Sequence, residues 1–169
     1  YQGGSGDLSS FAWREALSRR GKPILLSTGL STLAEVCEAV AVIRSVDPRY
    51  ASPSYLGLLQ CTAMYPTDSS EVNLRAMDTL RESTGAAVGY SHHCLDQLAL
   101  LLATARGAQI LEFHFTDRRD GQSFRDHAIS LMVDEVTALT EHLQRMQVLL
   151  GDVGKMPTAG ERESGHVSS

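Results

Sequence analysis

Short apolar runs alternate along the chain with longer stretches in which apolar residues recur every three to four positions. The short runs are typical of strands in a parallel sheet, and the longer spacing is typical of helices with one buried face. The runs predict strands over residues 23–27, 55–61, 86–91 and 109–115. The spaced stretches predict helices over residues 32–45, 71–83, 95–106 and 133–150. Ser31 is expected to cap the first helix, and residues 1–7 read as the end of a further strand.

This alternation of strand and helix indicates crossover connections and a parallel sheet. Two arrangements fit it: a doubly wound sheet, and part of an eight-stranded barrel. No G-x-G-x-x-G sequence follows a predicted strand, so a dinucleotide site has no support. A full barrel usually takes about 250 residues, and we therefore expect the chain to be part of a longer protein. Residues 151–169 are polar and without period, which favours a linker.

Composition narrows the class of partner. Of the 169 residues, 43% are hydrophobic and 21% are charged, which is typical of a globular protein. The net charge is −5 and there is no basic block, which argues against a nucleic-acid surface. No apolar run approaches the roughly 18 residues of a membrane span, so we expect no membrane partner. Three cysteines without a C-x-x-C spacing favour a reducing, cytoplasmic setting.

Polar residues stand where each predicted strand ends, which is where parallel α/β folds collect their function. The last two strands are informative because side chains alternate between the two faces of a sheet. Leu111, Phe113 and Phe115 suit the helix-covered face, which leaves Glu112 and His114 pointing inward. The preceding strand carries small residues on the face of Ser91 and His93, and the opposite face carries His92. We therefore expect Ser91, His93, Glu112 and His114 to face one interior.

Two inward histidines on neighbouring strands could share one divalent metal ion and leave coordination positions open for substrate. They could equally form only hydrogen bonds in a polar interior, and spacing alone does not separate the two interpretations. A zinc site built from Cys61, Cys94 and His92 is a weaker alternative, and His92 is expected to be structural.

Four other residues need to be weighed between a functional and a purely structural role. Ser27 and Thr28 could bind a phosphate at the next helix start or could simply cap that helix. Lys22 precedes its strand, so geometry places it at the end away from the site as a solvated lysine. Asp126 ends a charged loop, which favours solvent exposure, although long loops after strands often carry function.

Five segments in order resemble the sialic acid synthase family, which makes N-acetylneuraminic, legionaminic and pseudaminic acids. They are Gly21–Leu30, Leu59–Pro66, Val72–Ala76, Gly89–His93 and Leu111–Thr116. The resemblance implies the C-terminal half of a (β/α)8 TIM barrel over residues 1–150. It also implies that residues 151–169 lead toward an antifreeze-like domain and that the parent protein is a homodimer.

The resemblance also implies roles for individual residues. It assigns a Mn²⁺ or Mg²⁺ ion to His93 and His114. It assigns proton handling to Glu112 and Asp126, with Asp126 also lining the sugar site. The residues that it places at the substrates are Lys22, Ser27, Thr28, Thr62, Tyr65 and Ser91, with Lys22 against phosphate charge and Tyr65 at the sugar.

Two departures from the family pattern stand out. His92 replaces the usual aspartate of the Ser-Asp-His motif, which puts the role of that aspartate in question. The loop Ser123–Asp126 replaces the usual Pro-Gly-Pro-Asp and is one residue longer, which puts the sugar preference in question.

The implied reaction condenses phosphoenolpyruvate with an open-chain N-acylated amino-sugar aldehyde, such as N-acetylmannosamine, and releases phosphate. Two alternatives stay open. One is a related phosphoenolpyruvate synthase of the legionaminic or pseudaminic type, which differs in the sugar that it accepts. The other is a non-catalytic fragment that keeps the motifs without a complete site.

Overall fold

The computed structural model describes residues 1–3, 11–121 and 123–165 of the chain. Its centre is a sheet of five parallel strands, each hydrogen-bonded to its neighbour in sequence. The strands are β1 (Gln2–Gly3), β2 (Ile24–Ser27), β3 (Leu56–Gln60), β4 (Ala87–His92) and β5 (Leu111–Phe113). The helices are α1 (Phe11–Ser18), α2 (Leu33–Val46), α3 (Ala76–Thr84), α4 (Leu98–Ala105), α5 (Asp126–Ile129), α6 (Val133–Leu150) and α7 (Ala159–Ser164). Within these ranges no helix is both long enough and apolar enough to cross a membrane.

The strand order separates the two arrangements that the sequence allows. A doubly wound sheet reverses its strand order at a switch point, whereas this sheet runs β1-β2-β3-β4-β5 without reversal. Sequential order with intervening helices is the order found along part of a barrel wall. The chain is therefore an α/β fold whose sheet has the strand order of a barrel segment.

One face of the sheet carries the hydrophobic core. Its strand residues are buried and alternate along β2, β3 and β4. They pack with apolar residues of α2, α3 and α4, and Leu139 of α6 joins the same cluster. The strand residues in this cluster are Ile24, Leu26, Leu56, Leu58, Val88 and Tyr90. This packing fixes the opposite face, and with it the positions of the polar residues at the strand ends.

The opposite face is crowded and is lined by small residues. A Cβ atom on Gly89 would lie 2.3 Å from the carbonyl oxygen of Ile110, and one on Gly57 would lie 2.6 Å from Leu25 Cδ2. Close approach of β4 and β5 therefore needs glycine at position 89. This confirms the prediction that the small-residue face is the interior one.

Helix boundaries differ from the predictions in several places, and the helix predicted over 95–106 begins three residues late, at Leu98. The predicted helix over 71–83 is split into a 3₁₀ turn at Ser69–Glu71 and α3, with Asn73 between them in the left-handed region at φ 47°. The cap of α2 is Thr32 and not Ser31, because Thr32 and Glu35 form a reciprocal capping box. A similar box at Thr158 begins α7 inside the segment expected to be a linker.

The last strand is shorter than predicted. Leu111 and Phe113 pack against the core as expected, but Phe115 lies beyond the strand and is 58% exposed. Phe115 forms only an isolated bridge with Leu131, and its placement on the helix-covered face was therefore wrong.

Candidate active site

Ser91 and His93 lie at the carboxyl end of β4, on the inner face. Ser91 is directly opposite Glu112 in the sheet register, and its hydroxyl donates a hydrogen bond to the Glu112 carboxylate. Ser91 Oγ is also 3.3 Å from Nε2 of His93. Both Ser91 and His93 are buried. Two adjacent parallel strands thus bring a hydroxyl, a carboxylate and an imidazole together.

The hydrogen bonds of His93 determine which ring nitrogen carries the proton. Nδ1 lies 2.8 Å from the carbonyl oxygen of Thr62, which can only accept, so Nδ1 carries the hydrogen. Burial lowers the pKa of His93 below its ordinary value, which keeps the ring neutral at pH 7. The neutral ring therefore presents an unprotonated Nε2 to the interior.

His114 follows β5 directly and lies beside His93. The two ring centroids are 5.5 Å apart and tilted by 55°. On the other side of His114, its Nδ1 is 3.7 Å from Oδ2 of Asp126, the first residue of α5. The structure thus brings the predicted metal pair together and places Asp126 beside His114.

Tyr65 joins the two histidines from the loop that follows β3. Its ring stacks on His93 at a centroid distance of 4.2 Å and meets His114 edge-on at 5.7 Å. Burial raises the pKa of Tyr65, so its hydroxyl stays protonated near neutral pH and can donate a hydrogen bond. This ring closes one side of the histidine pair.

Arg125 is a site residue that the sequence reasoning missed. Its guanidinium carbon lies 4.7 Å from the Tyr65 ring centroid, and its Nε is 3.6 Å from Oδ1 of Asp126. The loop after β5 brings it there, and in the sequence this loop stood out only as a departure from the Pro-Gly-Pro-Asp pattern, with no role assigned to Arg125. Its position directly before Asp126 was the one available signal.

Ser27, Thr28 and Thr62, which the resemblance places at the substrates, differ in the contacts of their hydroxyl groups. Ser27 is buried and shares its face of β2 with Leu25, which contacts the interior position of Gly57. Thr28 donates to the carbonyl oxygen of Leu59 at 3.0 Å, and Thr62 donates to that of Glu71 at 2.7 Å. The hydroxyl protons of Thr28 and Thr62 are therefore donated to backbone carbonyl oxygens. Both residues line a neighbouring cleft of about 680 Å³ between α2 and α3.

Lys22 does not reach the site, contrary to what the resemblance implies. It precedes β2 at the amino end, and its side chain is exposed. Tyr50 holds it there by donating to the Lys22 carbonyl oxygen at 2.8 Å. Strands rise about 3.3 Å per residue, so Lys22 lies roughly 16 Å from Ser27 along the strand. Geometry therefore favours the solvated lysine.

His92 faces away from the site, as strand alternation predicts. It is only 1% exposed, and its Nδ1 lies 3.2 Å from the hydroxyl of Tyr90. Burial lowers the pKa of His92 to about 4. The described residues offer Nε2 of His92 no hydrogen-bond partner.

The donor atoms that the chain supplies bear on whether the site can hold a metal ion. The described ranges hold no group of three His, Cys, Asp or Glu side chains arranged to bind an ion. This supports neither the Cys61, Cys94 and His92 alternative nor a third protein ligand beside His93 and His114. The two-imidazole arrangement keeps an unprotonated Nε2 on His93. Oδ1 of Asp126, next to His114, is buried and lacks a hydrogen-bond partner in the described residues. These features fit an ion held by two imidazoles.

Comparison with known proteins identifies the family. The model of the NeuB family matches residues 1–155. The chain belongs to the NeuB family. N,N'-diacetyllegionaminic acid synthase from Campylobacter jejuni is 33% identical to this NeuB chain over 160 residues, which are 95% of the chain and 47% of that protein. Human N-acetylneuraminate-9-phosphate synthase is 28% identical over 90% of the chain and 41% of its own length.

A solved structure of a NeuB relative has the same fold. The N-acetylneuraminic acid synthetase of Leptospira borgpetersenii, crystallised with citrate, superposes with a TM-score of 0.86 at 30% identity. The superposition covers 98% of this chain and 55% of that one. The resemblance to sialic acid synthases is confirmed. The chain spans about half the length of the curated relatives it matches.

Proposed function

We propose that the protein containing this chain condenses phosphoenolpyruvate with an N-acylated amino-sugar aldehyde, such as N-acetylmannosamine, to form a sialic acid-type sugar. The observation that carries the proposal is the cluster of Tyr65, His93, His114 and Asp126 beside the hydrogen-bonded Ser91 and Glu112. It lies at the carboxyl ends of adjacent parallel strands, where barrel enzymes place their chemistry. Membership of a family with sialic and legionaminic acid synthases supports the same reaction.

In this reaction the methylene carbon of phosphoenolpyruvate forms a bond with the aldehyde carbon, whose oxygen gains a proton. A water oxygen then adds to the former enol carbon and loses one proton. The C–O bond to phosphate breaks with its electron pair leaving on phosphate, and the added oxygen becomes the keto oxygen as its second proton passes to phosphate. Glu112 and Asp126 would accept and return these protons. Tyr65 and Asp126 would hold the sugar, and Ser27 and Ser91 would bind phosphoenolpyruvate.

His93 and His114 would hold a Mn²⁺ or Mg²⁺ ion. When bound, such an ion supplies a positive charge that polarises a carbonyl oxygen. The role of the chain is to keep His93 in the correct tautomer through Thr62 and to set His114 against Asp126. Burial keeps His93 neutral and so available as a ligand.

The rest of the proposal concerns the whole protein. Residues 1–150 would form the C-terminal half of a (β/α)8 barrel, with residues 151–169 leading toward an antifreeze-like domain. The whole protein would be a cytoplasmic homodimer. The sequential strand order and the extent of the match to longer relatives support the barrel.

The test is a phosphate-release assay on the full-length protein with phosphoenolpyruvate carrying ¹⁸O at the bridging position. We expect release only when an amino-sugar aldehyde and Mn²⁺ or Mg²⁺ are present, with the label in the phosphate. His93→Ala and His114→Ala should abolish metal-dependent turnover, whereas His92→Ala should be mild. Label retained in the sugar acid would exclude C–O cleavage. An equal loss of turnover in the His92 variant would contradict the assignment of the metal ion to His93 and His114.

The same assay separates the alternatives. Aldehydes of the N-acetylmannosamine, legionaminic and pseudaminic precursor types, compared by kcat/KM, identify the sugar. A non-catalytic protein would release no phosphate with any of them. It would also bind no stoichiometric metal through His93 and His114.

A further inference from the structure

Arg125 occupies the outer side of the candidate sugar site. Its guanidinium stands over the face of Tyr65 at 4.7 Å, and the same ring stacks on His93. The three side chains therefore form a layer that runs from the interior outward. Arg125 is the basic residue whose contacts with Tyr65 and Asp126 the structure records.

Among the described residues, the contacts of the Arg125 guanidinium are with the Tyr65 ring and the Asp126 carboxylate, and neither is a hydrogen bond. Its Nε is 3.6 Å from Asp126 Oδ1, which is too long for a hydrogen bond. That oxygen has no hydrogen-bond partner among the described residues. The Arg125 side chain is 68% exposed, so its donors face the solvent at the mouth of the site. A guanidinium fixed over an aromatic ring with solvent-facing donors is arranged to receive a planar or tetrahedral oxyanion.

We infer that Arg125 binds an anionic substituent, a phosphate or carboxylate, on the amino sugar and so selects a charged sugar over a neutral one. This inference rests on the proposed function, because it uses Tyr65 and Asp126 as the sugar-binding side. Phosphoenolpyruvate is a second source of the same chemistry. The proposal favours the sugar because Ser27 and Ser91, the candidate phosphoenolpyruvate contacts, lie on the inner strand faces, whereas Arg125 lies outward of Tyr65.

The family does not settle this point. By their names, it includes one synthase whose product carries a phosphate and another whose product name carries none. The chain is 28% identical to the first and 33% to the second. The preference must therefore come from individual residues, and Arg125 is the residue that the structure places there.

The test is calorimetric binding to the full-length protein, followed by phosphate-release kinetics. The ligands are N-acetylmannosamine 6-phosphate, N-acetylmannosamine and phosphoenolpyruvate. The variants are Arg125→Ala, Arg125→Lys and the control Arg118→Ala, which removes the same charge from an exposed position in the same loop. Arg125→Ala should weaken binding of the sugar phosphate about 10- to 100-fold, the loss expected for a charged hydrogen-bonded contact.

The dissociation constants of the neutral sugar and of phosphoenolpyruvate should change less than about threefold with Arg125→Ala. In the proposal neither ligand makes a charge-assisted contact with Arg125. Arg125→Lys should recover part of the loss, because it keeps the charge but not the fork of donors. In kinetics the effect should fall on KM of the sugar phosphate and leave kcat nearly unchanged.

Several outcomes would overturn the inference. Equal weakening of both sugars would make Arg125 a support for Tyr65 and nothing more. Selective weakening of phosphoenolpyruvate would assign Arg125 to the other substrate. An equal effect of Arg118→Ala would show that the positive charge of the loop, and not a contact of Arg125, weakens or strengthens binding. Arg125-dependent binding of the sugar phosphate without phosphate release would uphold the inference and contradict the proposed synthase.

Discussion

His92, on the core face of β4, makes protein stability depend on pH because its ring is buried and neutral. Its pKa falls from 6.5 to about 4 in the folded protein because burial opposes the charged form. In the unfolded chain it takes up a proton below pH 6.5, so the unfolded state binds more protons between pH 6.5 and 4. The contribution of His92 to stability is therefore complete above pH 6.5 and is lost as the pH falls toward 4.

We predict that the metal-free full-length protein loses stability over this window, with about 3 kcal/mol of the loss due to His92. His92→Gln removes the titrating group and keeps a polar partner for Tyr90, so its pH dependence should be flatter by about that amount. His93 retains part of the slope because its pKa is also lowered. Urea unfolding of both proteins at pH 7, 6, 5 and 4, with chelator present, measures the free energy of unfolding at each pH. Parallel curves for the two proteins would contradict the assignment.

Residue positions on strands were predictable because the side-chain period there is fixed. Alternation placed His93 inward and His92 outward, and both are found so. The role that the resemblance gave to Lys22 was wrong because it ignored which end of β2 the residue occupies. Arg125 could not be predicted, since its contact with Tyr65 depends on how a loop folds back over the site.

At the scale of elements, the start of α2 offers a test that distinguishes two adjacent hydroxyl residues. Thr32 Oγ1 accepts from the Glu35 amide, and the Glu35 carboxylate accepts from the Thr32 amide at 2.7 Å. Ser31 lies one residue earlier and only approaches the Gly29 carbonyl oxygen at 3.5 Å. We predict that Thr32→Ala destabilises the protein by about 1 kcal/mol and that Ser31→Ala changes stability little. Chemical unfolding compares them, and the reverse order would restore Ser31 as the cap.

Gly89 sets the spacing of β4 and β5, and with it the contact between Ser91 and Glu112. An added Cβ would meet the backbone oxygen of Ile110 at 2.3 Å, so the strands would have to part. At Gly57 the nearest atoms are the mobile ends of Leu25 and Ile110 side chains.

We therefore predict that Gly89→Ala costs about 3 kcal/mol and Gly57→Ala about 1 kcal/mol, the upper and lower range for overpacking. Gly89→Ala should also reduce turnover beyond its effect on folding, because it displaces Glu112 from Ser91. Thermal unfolding and phosphate release, measured on both variants, give the comparison. Similar losses for the two glycines would show that β4 and β5 can separate without harm.

Helices were predicted correctly where the apolar periodicity was strong. They were missed or misplaced where local polar contacts or backbone conformation determine where a helix begins. Helix α6 begins and ends at the predicted residues because its apolar stripe is regular. The helix predicted from residue 71 is interrupted at Asn73, whose left-handed backbone no period reveals. Helix α7 was missed because it is polar all round and depends on the Thr158 and Glu161 capping box.

At the scale of the whole molecule, the two outer strands of the sheet, β1 and β5, determine what else the fold needs. Within the described ranges β1 pairs only with β2, and β5 pairs only with β4. Both outer strands therefore leave backbone N–H and C=O groups without sheet partners. The interior face also keeps Leu25 and Ile110 only partly buried. In the proposed barrel, further strands would pair these edges and cover this face.

We predict that residues 1–169 produced alone bind metal weakly, show no measurable synthase turnover and self-associate. Unpaired strand edges recruit other chains, and the partly buried Leu25 and Ile110 add an apolar surface between them. His93, His114 and Glu112 would remain on the sheet, but the residues that further strands contribute to the substrates would be missing. Light scattering, metal titration and phosphate release on this segment and on the full-length protein, run side by side, give the comparison. A monodisperse monomer with turnover near that of the full-length protein would mean that five strands already complete the functional unit, and that the edges of this sheet need no further partners.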